Sequence, residues 1–91
     1  MKFYNERAKK VYPGLKFTMT GFELRYSKYL DPVKQVVVYT SDGDAYYMPG
    51  SFCRFVANTG VELDTFIGDR FIIIERETFS GRTGLYVEAE R

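Results

Sequence analysis

One break in periodicity constrains this fold more than any other feature of the chain. Leu15, Phe17 and Met19 alternate with Lys16, Thr18 and Thr20, the two-residue period of a strand with one buried face. At Thr20-Gly21 the phase slips, and Phe22, Leu24 and Tyr26 then alternate with Glu23 and Arg25. A glycine at a change of phase marks a β-bulge, whose extra residue bends a strand and strengthens its twist. Residues 15–29 therefore read as one long first strand bent near Gly21. Such a bend lets one strand pair on two sides, which is what closing a small sheet into a barrel requires.

The remaining elements follow from local chemistry. Tyr29-Leu30-Asp31-Pro32 is a connection, and a second strand runs from Lys34 to Thr40 through Val36, Val37 and Val38. Asp42-Gly43 suits the centre of a two-residue hairpin, and a third strand from Ala45 to Met48 stops at Pro49-Gly50. A helix follows, with Ser51 as N-cap, Phe52, Phe55 and Val56 on one face, Cys53 beside them, and Gly60 as its stop. After a connection anchored by Leu63, Phe66 and Ile67 come a fourth strand over 70–79, a flexible loop over 80–84 and a fifth strand over 85–90. At the start of the chain, Phe3, Tyr4, Ala8, Val11 and Tyr12 fit one side of a short helix that Pro13-Gly14 ends.

Three strands, a helix and two strands, with the first strand bent, is the order of an OB-fold, a five-stranded Greek-key barrel with its helix between strands three and four. An SH3-like barrel and an open ββα-type sheet compete with it, but the helix before the final strand pair favours the OB order. The expectation is a mainly β, OB-fold-like single domain over residues 1–91, with 1–13 a basic N-terminal segment.

Absent residue types narrow the chemistry. There is no histidine, which removes Ser-His-Asp and Cys-His nucleophile systems and the common histidine-based zinc sites. The single cysteine cannot form an internal disulfide or a cysteine-rich metal site, and points to a reducing, cytoplasmic setting. Cys53, flanked by aromatic residues and lacking an activating base, reads as a buried structural thiol. Asp42-Gly43-Asp44 lacks the further oxygen ligands of a calcium loop. Glu75, Glu77, Glu88 and Glu90 alternate out of apolar strands and read as a solvated face. Gly81 and Gly84 lack the strand-to-helix context of a phosphate cradle. The longest apolar run is Phe71 to Ile74, far short of a membrane-spanning helix, and no apolar leader follows the first basic residues. A non-enzymatic binding protein without cofactor or metal is the expectation.

Charge and aromatic content suggest what it binds. The net charge is only +1, which argues against a duplex-DNA binder relying on bulk electrostatics. Eight Tyr and eight Phe are more rings than so small a core can hold, so several tyrosines must stand at the surface. A two-residue turn at Asp42-Gly43 opposes Tyr39 to Tyr46 and Val37 to Met48. One face then carries Gln35, Val37, Tyr39, Tyr46 and Met48, and the other carries Val36, Val38, Thr40, Ala45 and Tyr47. The second set is the better core, which leaves Tyr39 and Tyr46 facing out. On an OB-type barrel that face and the neighbouring loops hold oligonucleotides. Tyr39 and Tyr46 are the candidate stacking rings, and Lys34, Arg82, Lys28 and Arg25 the candidate phosphate contacts. A plain cross-strand tyrosine pair supporting the sheet is the competing account.

Phe66-Ile67-Gly68-Asp69-Arg70-Phe71-Ile72-Ile73-Ile74, then Ser80-Gly81-Arg82-Thr83-Gly84-Leu85-Tyr86-Val87, resembles the C-terminal halves of small phage-type single-stranded DNA-binding OB proteins. Tyr47-Met48-Pro49 leading into the Ser51 helix start is similar as well. The resemblance covers about the last third of the chain. It implies handling of single-stranded nucleic acid in DNA replication or recombination, alongside proteins of those processes, in a host cytoplasm. It leaves a homodimer open. The alternative is a protein-interaction or assembly module, such as a phage structural adaptor or an inhibitor of a host enzyme, since tyrosine-rich surfaces serve that role equally well.

Overall fold

A computed structural model describes residues 8–90 and shows a mainly β protein: one curled, half-barrel sheet with a single α-helix, consistent with a small β-barrel. The strands are β1 (Lys9–Lys10), β2 (Lys16–Arg25), β3 (Gln35–Thr40), β4 (Ala45–Tyr47), β5 (Arg70–Glu77) and β6 (Thr83–Ala89). Between β4 and β5 lie the helix α1 (Gly50–Thr59) and a 3-10 turn over Leu63–Phe66. The sheet order is β1-β4-β3-β2-β5-β6.

The bulge is where the phase slip places it. β2 pairs Met19 with Thr40 and then Gly21 with Tyr39, leaving Thr20 as the extra residue. The insertion keeps the apolar residues inward on both sides of it: Leu15, Phe17 and Met19 before, Phe22 after. It also lets β2 serve two neighbours. Lys16 to Thr18 pair with β5, and Met19 to Arg25 pair with β3. That division of one strand curls the sheet around a core of Phe17, Met19, Val36, Val38, Tyr46, Met48, Cys53, Leu63, Phe71 and Ile73, joined by Leu15.

Several expectations need correction. Among the described residues there are six strands rather than five. The sixth comes from the basic segment, where Lys9 and Lys10 pair in parallel with Tyr46 and Tyr47 of β4. The helix expected over that segment is absent at 9–10, and its Phe3 and Tyr4 lie outside the described residues. The first strand ends at Arg25, because Ser27 to Asp31 form hydrogen-bonded turns before a cis Asp31–Pro32 bond. Ser51 does not cap α1. Pro49 does, its carbonyl accepting the N–H groups of Phe52 and Cys53, while the Ser51 hydroxyl donates to the Leu85 carbonyl at 2.8 Å. Gly60 ends the helix as expected, in the left-handed conformation. Among the described residues no ladder joins β1 or β4 to β6, so the sheet does not close on itself through backbone pairing. No helix among them is long and apolar enough to cross a membrane.

The correction with most consequence is one residue long. The hairpin between β3 and β4 pairs Tyr39 with Ala45, Val38 with Tyr46 and Val37 with Tyr47. Thr40 N–H donates to Asp44 and Gly43 N–H to Thr40, so the loop has three residues and Gly43 takes the positive φ of a bulged type I turn. Moving the register by one turns every β4 side chain to the opposite face.

Candidate functional site

The shifted register replaces one tyrosine by its neighbour. Tyr46 faces inward, 7 % exposed, within the core, and its burial raises the phenol pKa. It cannot be half of an outward pair. Tyr47 takes that position, opposite Val37, on the same face as Tyr39. Across β2, β3 and β4 this outer face carries Glu23, Arg25, Val37, Tyr39, Ala45 and Tyr47, with Lys10 of β1 in register beside Tyr47.

A hydrogen-bonded chain ties the two rings together. The Tyr39 hydroxyl donates to Glu23 Oε1 at 2.7 Å, Arg25 Nε lies 3.7 Å from Glu23 Oε2, and Arg25 Nη1 donates to the Tyr47 hydroxyl at 3.3 Å. Both phenols thus reach back toward β2 across the position of Val37, whose side chain is wholly buried although it lies on the outer side. Gly21 makes room for the Tyr39 ring. A Cβ there would stand 3.2 Å from Tyr39 Cδ2, tighter than nine in ten real contacts of that kind, so the ring would have to shift by a few tenths of an ångström. One glycine therefore serves both the bulge and the seat of the ring. Both rings are half-buried and held at two ends, which fixes their orientation at little further entropic cost on binding.

The expected cations are dispersed. Arg25 is on the face, but it is committed to Glu23 and Tyr47. Lys28 and Lys34 are exposed on the connection between β2 and β3, and the Lys28 ammonium sits 5.3 Å from the centre of the Tyr29 ring, a cation–π geometry. Arg82 is exposed in the β5–β6 hairpin. Because β5 runs antiparallel to the first residues of β2, that hairpin lies beyond the N-terminal end of β2, whereas Lys28 and Lys34 lie beyond its C-terminal end. The fold therefore brings Arg25, Tyr39 and Tyr47 together, places Lys28 and Lys34 on the adjoining loop, and leaves Arg82 apart. On the rim, Lys9 meets Asp44 at 3.2 Å, and that carboxylate raises the lysine pKa.

Sequence reasoning missed the rings outside the strands. Tyr26 and Tyr29 are strongly exposed on the 26–34 connection, and Phe79 is fully exposed at the hairpin tip near Arg82. The signal was available, since a ring in a connection has no strand to place it in a core. Beside the same loop, an apolar cleft of about 450 Å³ is lined by Leu24, Val33, Lys34, Val36, Cys53 and Val56. Cys53 at its base is buried, its Sγ accepting the Val36 N–H at 3.3 Å, and burial pushes the thiol pKa up. Such a thiol is a poor nucleophile at neutral pH. Among the described residues no group of histidine, cysteine or acidic side chains could hold a metal ion. Comparison with known proteins finds no matching family model, no matching curated sequence and no matching solved structure.

Proposed function

We propose that this protein binds single-stranded nucleic acid, DNA in the first instance, by stacking bases on the Tyr39–Tyr47 face and contacting phosphates from Lys10, Lys28 and Lys34. The reading treats the sheet as an opened OB-type barrel, since β4-β3-β2-β5-β6 with a helix between β4 and β5 follows the neighbour order of that fold. The observation that carries it is the pair of phenol rings anchored over Val37 by Glu23 and Arg25. Every base has a flat face, so rings held in place bind a strand without reading its sequence, and stacking is insensitive to the counterion release that a net charge of +1 cannot drive far. Tyr26 and Tyr29 extend the aromatic surface along the loop. Handling of single strands in replication or recombination is the role such an activity would serve.

The test is fluorescence anisotropy of a labelled oligothymidine at two salt concentrations. Binding in the micromolar range or tighter is expected. Each ring contributes about 1–3 kcal/mol by truncation, so Tyr39→Ala/Tyr47→Ala should weaken binding by roughly thirtyfold or more. Lys28→Ala and Lys34→Ala should each reduce the salt slope by about 0.7 for a single strand. Absence of binding in low salt, or an unchanged affinity in the double variant, would refute the proposal.

A further inference from the structure

Among the described residues the last strand of the sheet is paired on one side only, and the ladder shows which of its backbone groups are left over. Ile73 turns both of its backbone polar groups toward the segment leading into β2. Its N–H donates to the Leu15 carbonyl at 2.8 Å, and its carbonyl accepts the Gly14 N–H at 2.8 Å. Val87 stands opposite Ile73 and so receives nothing from β5. Glu90 N–H donates to the Arg70 carbonyl at 2.9 Å, and Thr78 N–H donates to the Arg82 carbonyl, which identifies the even-numbered residues of this strand as those bonded to β5. The N–H and C=O groups of Leu85, Val87 and Ala89 therefore point out of the sheet. The Ser51 hydroxyl at the start of α1 occupies the Leu85 carbonyl. Beyond Val87 and Ala89 no strand follows among the described residues.

This free edge runs beside an aromatic cleft. Phe52, Phe55, Phe66, Phe71, Tyr86 and Val87 line an opening of about 370 Å³ between α1 and β6. Phe55 is 47 % exposed, on the helical turn after Ser51. Cleft and edge together are selective for one chemistry. Only an extended polypeptide offers carbonyl and N–H groups at the spacing of Val87 and Ala89, and alternate side chains of an added strand would turn toward the rings. The charges on the strand do not oppose this. Glu88 is paired with Arg76, and Glu90 with Lys16 and Arg70. On α1, Arg54 is exposed between the cleft residues Ser51 and Phe55, with its guanidinium against Gly50 and no ion-pair partner among the described residues, which favours an acidic group in a peptide passing this end of the helix.

We propose that the seam between α1 and β6 takes an extended peptide of a partner protein. The peptide adds to β6 as a short strand through Val87 and Ala89, seats one aromatic or large aliphatic side chain among the phenylalanines, and sets an acidic residue against Arg54. The inference is independent of nucleic-acid binding, which involves the other side of the sheet.

Selection of a phage-displayed random heptapeptide library on the full chain, followed by anisotropy titration of the enriched sequences, tests it. Val87→Pro removes an outward N–H without removing a β5–β6 bond, a position where edge strands tolerate proline. Phe55→Ser alters the cleft at an exposed position and covers the case in which the proline variant does not fold. Enriched peptides should carry apolar residues two apart with an acidic neighbour. They should lose at least tenfold affinity for either variant, and should slow amide exchange at Val87 and Ala89. No enrichment, or equal binding by both variants, overturns the proposal. So does a dimer seen by light scattering that Val87→Pro converts to monomer, because a second copy would then be the occupant.

Discussion

Truncating Tyr46 tests the register on which the Tyr39–Tyr47 face depends. Its ring is 7 % exposed and packed in the core, so Tyr46→Ala deletes a buried aromatic side chain, a change that costs about 3–5 kcal/mol in well-packed interiors. Tyr47 is one residue away but on the outer face, half-buried, with one hydrogen bond from Arg25. Tyr47→Ala should cost about 1–1.5 kcal/mol, the range of one net hydrogen bond with partial burial. Domains of this size have total stabilities of about 5–14 kcal/mol, so the first variant gives up a large share and the second a small one. With an m-value of about 1–1.5 kcal/mol/M in urea, Tyr46→Ala should move the unfolding midpoint down by roughly 2–5 M and Tyr47→Ala by about 1 M. Urea titration followed by far-UV circular dichroism reads both. Tyr46→Phe serves as control and should stay close to wild type, because the Tyr46 hydroxyl makes no hydrogen bond within the described residues and is not sealed from solvent, so removing it breaks no buried pairing. Equal midpoints for the two alanine variants, or the reverse order, would refute the three-residue hairpin and restore Tyr46 to the outer face.

Two further outcomes follow from titrating groups. Hydrogen bonds from Lys16 and Arg70 hold the Glu90 carboxyl below the usual carboxylate range, so its contribution is complete above the unfolded pKa and is lost as pH falls through the depressed folded value. Glu90→Gln should therefore show a smaller fall in urea midpoint than wild type between neutral pH and about pH 3, and an identical fall would remove the ion pairs from the account. Cys53 is 1 % exposed, with its thiol pKa raised mainly by burial, so Ellman's reagent should label native protein only at the rate of opening and label urea-unfolded protein at once. Immediate labelling of the native protein would show that the α1–β3 contact is not closed.

Local features carried a large part of this fold in a readable form. The bulge at Gly21 shows as a phase slip because an extra residue must change which side chains alternate inward. The end of α1 shows as Gly60 because a left-handed terminus favours a residue without Cβ. Of the proposed contact residues, Tyr39 stands on the outer face, as alternation suggested, while Lys28 and Lys34 lie on the exposed connection, Lys34 just before the strand it was expected to begin. Arg25 is on the face but tied to Glu23, a partner two residues along the same side of the strand that charge counting alone did not reveal.

The strand periods, the bulge, the helix stop and the excess of rings over core were properties of the amino-acid order, because each arises from neighbours within a few residues. Which tyrosine of the Tyr46-Tyr47 pair faces out was decided by the folded molecule. Ser41-Asp42-Gly43-Asp44 is compatible with a two- or a three-residue loop, and the choice turns on whether Tyr46 and Met48 pack with Val36, Val38 and Cys53 across the core. The same holds for β1 and for the edge of β6: parallel pairing of two lysines with β4, and the backbone groups of Val87 and Ala89 that no other described residue takes up, depend on contacts between segments tens of residues apart. Local propensity cannot encode such pairings, because their free energy exists only once the sheet has curled and the core has filled.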